Sequence, residues 1–255
     1  MIGLGLGATH ASPLQEAVGF SETKAWSFDG ATDEVSAPVT VDIFNGSGAS
    51  ISFWAKDDSF HNTAKFFISK YQDVNNFWQL GFTSGFPAFQ ARDNISSTTG
   101  IFMTSQSSGT LTQYNHYCWT FDDSNVTNIK ANTKFYINGV AISTFVASMA
   151  SSGLDNTGNL RLGRPDSISY THVDELNEVA FFKDVQLSAA QVAAIYNSGT
   201  PFDLRENQGD YTASSNLELY IRGEEATGAV VEIVDDSTGN HQIGIVGAPA
   251  IDSTL

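Results

Sequence analysis

Along most of this chain apolar and polar residues alternate with a period of two, the spacing of a strand with one buried face. In SISFWAK, Ile51, Phe53 and Ala55 fall on one side, and Ser52, Trp54 and Lys56 on the other. HYCWTFD sets Tyr117, Trp119 and Phe121 against Cys118 and Thr120. KAWSF precedes the turn signal Asp29-Gly30 and the run EVSAPV; KFFISKY and NFWQLGF flank QDVN, which suits a hairpin; PAFQAR, NLRLG and LNEVAFF add further strands. In KFYINGVAISTF, Asn138-Gly139 between two β-rich runs predicts a type I′ hairpin, whose central residues both need positive φ. These faces put Trp119, Phe121, Phe135, Ile137, Val179 and Phe181 in the expected core.

One segment breaks the pattern. In LSAAQVAAIYNSG, Ser188 is placed to cap a helix, and Gln191 three residues later completes a capping box. Leu187 and Val192 stand at the positions of a hydrophobic staple. Gly199 is expected to end the helix in a left-handed conformation, and Pro201 prevents restart. The helix is therefore predicted at about 188–198. Before the strands lies a stretch with Ile2, Leu4 and Leu6 alternating with glycines, which predicts an extended N-terminal arm over residues 1–22 and a candidate assembly anchor. A sandwich is expected over 23–200 and a C-terminal β extension over 201–255, which either pairs onto the main sheets or forms its own attachment.

The chain has 255 residues, 41% of them hydrophobic, enough to bury a core, and a formal net charge of −16. Such a surface repels nucleic acid and anionic membranes, which argues against both as partners. Cys118 is the single cysteine, so no intrachain disulfide shapes the fold. No basic residue precedes the short apolar run at the start, so no secretory signal is expected, and no stretch is long enough for a membrane helix. The expectation is a complete chain made and folded in a cytoplasm.

Three acids, Asp174, Glu175 and Glu178, crowd the entrance of VDELNEVAFF. They could be paired catalytic carboxylates, metal ligands or the wet end of a buried strand. By strict alternation Asp174 and Glu178 share a face with Leu176 between them, and Glu175 points the other way. The reading favoured from the residues is that Asp174 and Glu175 are solvated at a strand entrance. The histidines, His10, His61, His116, His172 and His241, have no metal-protease spacing. No Gly-x-Ser-x-Gly elbow or phosphate loop is present.

The order AWSFDGATDEV, SISFWAK, YNHYCWTFD, KFYINGVAI, NLRLG, LNEVAFF, LSAAQVAAIYNSG resembles the laminin-G-like domains of the concanavalin A-like lectin/glucanase superfamily, over about residues 22–200. That resemblance implies an all-β, two-sheet antiparallel jelly-roll sandwich with one short helix. The ending, SNLELYIRGEE through DSTGN to HQIGIVGAP, resembles tails on such domains in phage and algal-virus structural proteins. The chain departs from the family's G-x-I-D-E-V form: Asp174 takes the glycine position and Asn177 the Asp position, while Glu178 and Val179 keep theirs. His116 matches the His of the family's Trp-x-His-Val-type strand.

The superfamily's glucanases use Glu-x-Asp-x-x-Glu, and retaining hydrolysis needs two carboxyl groups about 5 Å apart. LNEVAFF lacks that spacing, so no hydrolase activity is expected. The resemblance implies a structural Ca²⁺ held by oxygen ligands from an early turn, Asp29 or Asp33, and a late strand, Asn177 or Glu178. It also implies sugar binding, for which Trp54, Tyr71, Trp78 and Arg92 are candidates, although core packing is the favoured reading for each tryptophan. The favoured function is a non-enzymatic virion structural protein, a capsid decoration, head-fibre or tail-fibre component on the particle exterior, assembled in the host cytoplasm. Its expected partners are other virion proteins, further copies of itself and a host-surface glycan. The alternative is a calcium-dependent carbohydrate-binding module.

Overall fold

The computed structural model describes residues 25–29, 33–37, 41–44, 47–56, 65–83, 86–92, 100–104, 113–122, 133–148, 156–164, 175–222, 244–246 and 250–252. The arm with Ile2, Leu4 and Leu6, the residue Asp174, the turn 236–240 and His10, His61, His172 and His241 lie outside them.

In chain order the strands are β1 (Ala25–Ser27), β2 (Glu34–Ala37), β3 (Ala49–Lys56), β4 (Lys65–Asp73), β5 (Asn76–Thr83), β6 (Phe86–Arg92), β7 (Gly100–Thr104) and β8 (Asn115–Phe121). Then come β9 (Lys134–Ile137), β10 (Val140–Ile142), β11 (Thr144–Ser148), β12 (Asn159–Leu162), β13 (Glu175–Lys183), helix α1 (Ala189–Tyr196), β14 (Leu217–Ile221), β15 (Gly244–Val246) and β16 (Ala250–Asp252). Sheet I runs β10-β9-β8-β3-β13-β1-β16, with β14 also paired to β13. Sheet II runs β11-β7-β6-β5-β4-β12-β2-β15. Every described pairing is antiparallel.

The sheets pack face to face through the apolar sides of strands such as β3, β5, β6, β8, β12 and β13, as the alternation requires. Phe53 meets Phe67, Tyr117 meets Phe82, and Phe89 meets Trp119 and Phe121 across the layer. Trp119, Phe121, Phe135, Val179 and Phe181 are buried in it, and Ile137 packs against it half-buried. The Asn138-Gly139 turn has φ of 50° and 75°, as a type I′ hairpin demands. Helix α1 has its capping box, with Gln191 N–H donating to Ser188 Oγ and Ser188 N–H donating to Gln191 Oε1. Leu187 and Val192 are both buried in the cluster beneath it. The helix ends two residues before the expected glycine: Asn197 already adopts the left-handed conformation, and its side-chain amide donates to the Thr200 carbonyl.

The C-terminal extension joins the sandwich. β14 extends sheet I beside β13, β16 pairs with β1 in sheet I, and β15 pairs with β2 in sheet II. The segment therefore closes one side of both sheets and is no separate attachment.

Candidate functional site

The two outer faces of the sandwich differ. That of sheet I is covered by α1 and residues 202–213, which form a second apolar layer: Cys118, Tyr136, Ala180 and Phe182 from the sheet pack with Leu187, Val192, Ile195, Leu204 and Tyr211. A polar island lies within it. Ser52 Oγ is 2.8 Å from His116 Nε2, and Trp54 stacks on Tyr196 at 5.8 Å and tilts against the His116 ring at 5.3 Å. A serine beside a histidine suggests nucleophilic catalysis, but both are buried and His116 Nδ1 has no partner to orient it. Burial holds the imidazole neutral, with its pKa lowered to about 3, and pushes the Cys118 thiol up. The crevice lined by Ser52, Trp54, Glu178 and Phe202 has no room for a bound molecule. This face is core.

The acids of β13 are placed by a bulge that strict alternation misses. Asn177 pairs with Trp54 and Ala180 with Ser52, so β13 carries one extra residue there. Glu178 is that residue, with φ of 51°, and its N–H donates to Asn177 Oδ1. Leu176 consequently faces the inner core with Val179 and Phe181, while Glu178 turns outward beneath the loop at 202–204. There it is 2% exposed, accepts a hydrogen bond from the Tyr220 hydroxyl, and pairs with Arg222 Nε at 2.8 Å. Glu175 is likewise no solvated entrance residue. It is 6% exposed, takes Lys56 Nζ at 2.9 Å and accepts the Tyr114 hydroxyl. Burial demands such pairing, because an unpaired buried carboxylate costs several kcal/mol, roughly. Neither acid faces an open groove, so the geometry of paired glycosidase carboxylates is not formed by these two.

The cation ligands expected from the sequence do not come together. Asp29 and Asp33 exchange hydrogen bonds across their own turn, each carboxylate accepting the other's backbone N–H at 3.0–3.1 Å. Asn177 Oδ1 serves its neighbour's N–H and Glu178 serves Arg222. Calcium takes about six to eight oxygens, and among the described residues no three His, Cys, Asp or Glu side chains converge. Among the described residues Asp29 and Asp33 thus bond within their own turn, and Asn177 and Glu178 within the bulge of β13.

The outer face of sheet II is polar. Its register aligns Gln90, Gln79, Ser69, Arg161 and Ser36 in one row across β6, β5, β4, β12 and β2. The next row is Arg92, Phe77, Tyr71 and Asn159. Gln79 donates to Gln90 Oε1, and Arg161 pairs with Glu34 at 3.0 Å. Tyr71 and Phe77 stack at 5.5 Å and 24°. Gln90, Arg92, Arg161 and Ser36 are partly accessible and Asn159 is exposed, whereas Gln79, Ser69, Phe77 and Tyr71 are buried. Ser69 Oγ, Tyr71 Oη and Arg92 Nε are buried polar atoms without a partner. Of the sugar-binding candidates, Tyr71 and Arg92 thus meet on this face, with Phe77 between them. Trp54 and Trp78 do not belong to it. Trp54 is 3% exposed under α1, and Trp78 is 1% exposed in the inner core against Phe44 and Phe89. Gln79, Gln90, Ser69 and Arg161 escaped the sequence reading because only cross-strand register aligns them.

In its fold the chain is similar to a Bacteroides ovatus protein named as a candidate for carbohydrate binding, with 15% identity and a TM-score of 0.58 over 90% of this chain and 59% of that one. It is also similar to domain 4 of AbnA, a GH43 extracellular arabinanase from Geobacillus stearothermophilus solved in complex with arabinotriose. That match has 16% identity and a TM-score of 0.50 over 68% of this chain and 76% of the other. None of the curated protein sequences matches the chain. Residues 29–193 match the family model Laminin_G_3, and the chain belongs to the concanavalin A-like lectin/glucanase superfamily.

Proposed function

We propose that this chain is a non-catalytic carbohydrate-binding module whose ligand lies across the outer face of sheet II. One observation carries the reading: the in-register row Gln90, Gln79, Ser69, Arg161 and Ser36, of which Gln90, Arg161 and Ser36 are partly accessible. The accessible members Gln90, Arg161 and Ser36 offer an amide, a guanidinium and a hydroxyl to sugar hydroxyls, while Gln79 and Ser69 between them are buried and Gln79 holds Gln90 in place. Glycan binding by similar folds supports the reading, as in the domain solved with arabinotriose. The test is a glycan array followed by calorimetry with the intact chain. Gln90→Ala should weaken a bound oligosaccharide about tenfold, the loss of about one hydrogen-bonding group of 1–1.5 kcal/mol. Undiminished binding moves the site to the rims of the sandwich.

We further propose that the module is displayed on a virion, as a capsid decoration, head-fibre or tail-fibre component, with further copies and other virion proteins as partners. The net charge of −16 supports an exterior position away from a genome. Mass spectrometry of purified particles tests it: a band at this mass that survives washing supports display, and its absence from particles sinks the idea.

A further inference from the structure

Building on the glycan face of sheet II, we propose that its ligand carries an anionic group, a sugar carboxylate or sulfate, seated by Arg92. The sequence has 12 lysines and arginines against 28 aspartates and glutamates, so a basic side chain on this face is a local exception to the surface charge. The other arginine of this face, Arg161, already pairs with Glu34 at 3.0 Å. Arg92 differs in having no carboxylate partner among the described residues: its Nη1 donates to the Val74 carbonyl at 3.1 Å, and its Nε is buried. A buried donor left without an acceptor is unfavourable, more so where the group is charged, and a bound acceptor removes that penalty.

The neighbourhood fits an anion on a ring. Arg92 lies opposite Phe77, which lies opposite Tyr71, so the guanidinium borders the stacked aromatic pair. The Tyr71 hydroxyl is a second buried polar atom without a partner, on a side chain 8% exposed. A guanidinium presents parallel N–H donors that match the two oxygens of a carboxylate or sulfate, and a hydroxyl beside it adds a donor. The net negative charge of the chain opposes approach at long range. At physiological salt that repulsion is screened beyond about 8 Å, whereas a partly buried contact pair is screened far less.

Calorimetry with the full chain tests the assignment. The probes are oligogalacturonate, the same oligosaccharide methyl-esterified, chondroitin sulfate fragments and arabino-oligosaccharides. At least one acidic probe should bind ten times or more tightly than the uncharged sugars, and esterification should remove the advantage of galacturonate where that is the probe bound. Arg92→Gln should bring acidic binding down to the uncharged level with an unchanged melting curve, and Arg92→Lys should fall between. Neutral and acidic sugars binding alike, unmoved by Arg92→Gln, overturns the charge assignment and leaves the glycan face standing. No binding by any probe overturns both.

Discussion

Glu178 shows how one residue redirects a strand. Its left-handed backbone inserts the bulge, and its carboxylate fixes Arg222 and Tyr220 of the following segment. Replacing it by Gln leaves Arg222, with its side chain 15% exposed, facing an uncharged partner. Breaking a buried pair from one side costs about 3–5 kcal/mol, and Asp203 at 3.9 Å softens the loss, so about 3 kcal/mol is expected by urea denaturation. The same variant tests the absence of catalysis: glycan turnover by wild type that vanishes in Glu178→Gln would return the residue to a catalytic role. His116 makes a pH prediction. Its folded pKa of about 3 lies below the ordinary 6.5, so the unfolded chain binds the extra proton between those values. Stability from its neutral form is complete above about pH 6.5 and falls as pH drops toward 3, by roughly 1 kcal/mol per pH unit. His116→Gln should flatten the stability profile between pH 5 and 6.5; an unchanged slope assigns that dependence to other groups. The bulge did leave a trace in the sequence. Leu176, Val179 and Phe181 are spaced three and then two apart, and an alternation that slips by one is the mark of an inserted residue.

Elements with local rules were the most legible. The capping box of α1 and the Asn138-Gly139 turn are set by residues within a few positions of one another, and both stand as read. The end of α1 was misplaced because Asn tolerates the left-handed conformation that glycine was assumed to supply. The turn and the helix also support each other. Gly139 has φ of 75°, and a Cβ there would lie 3.3 Å from Ala193 Cα and 3.2 Å from Tyr196 Cδ1. Gly139→Ala therefore strains the backbone and presses on α1, with a cost of about 1–2 kcal/mol. Val140→Thr, next to it on a side chain 63% exposed, should stay within about 0.5 kcal/mol. Equal melting temperatures for the two variants would show that the turn does not bear on the helix. The polar row of sheet II was illegible for the converse reason. Gln90, Gln79, Ser69 and Arg161 come from four strands, and nothing in any one strand says which residues of the others lie beside it.

At the scale of the whole molecule the sequence suggested a sandwich ending near residue 200, and the structure moves that boundary. AFF at 180–182 held the clue, since consecutive apolar residues on a strand mean that both faces are buried. Ala180 and Phe182 pack outward beneath Leu204, Tyr211, Ala213, Leu217 and Tyr220, all supplied from beyond residue 200. Burial of a large apolar side chain stabilises by roughly 1.5–3 kcal/mol. Losing the large members of this cover and exposing Phe182 and Tyr136 removes an amount comparable with the ~5–15 kcal/mol that holds a domain folded. The same cut strands Glu178 without Arg222 and leaves β1 and β2 without β16 and β15. A chain stopped at residue 200 should therefore lose cooperative unfolding and bind a hydrophobic dye, with strand content retained in part. A chain stopped at residue 222 keeps the cover and the Glu178–Arg222 pair and should unfold cooperatively, at lower stability than the full length. If the shorter chain unfolds as sharply as the full one, with the same denaturant slope, then sheet I tolerates water on its outer face and the second apolar layer is an addition to the fold rather than part of it.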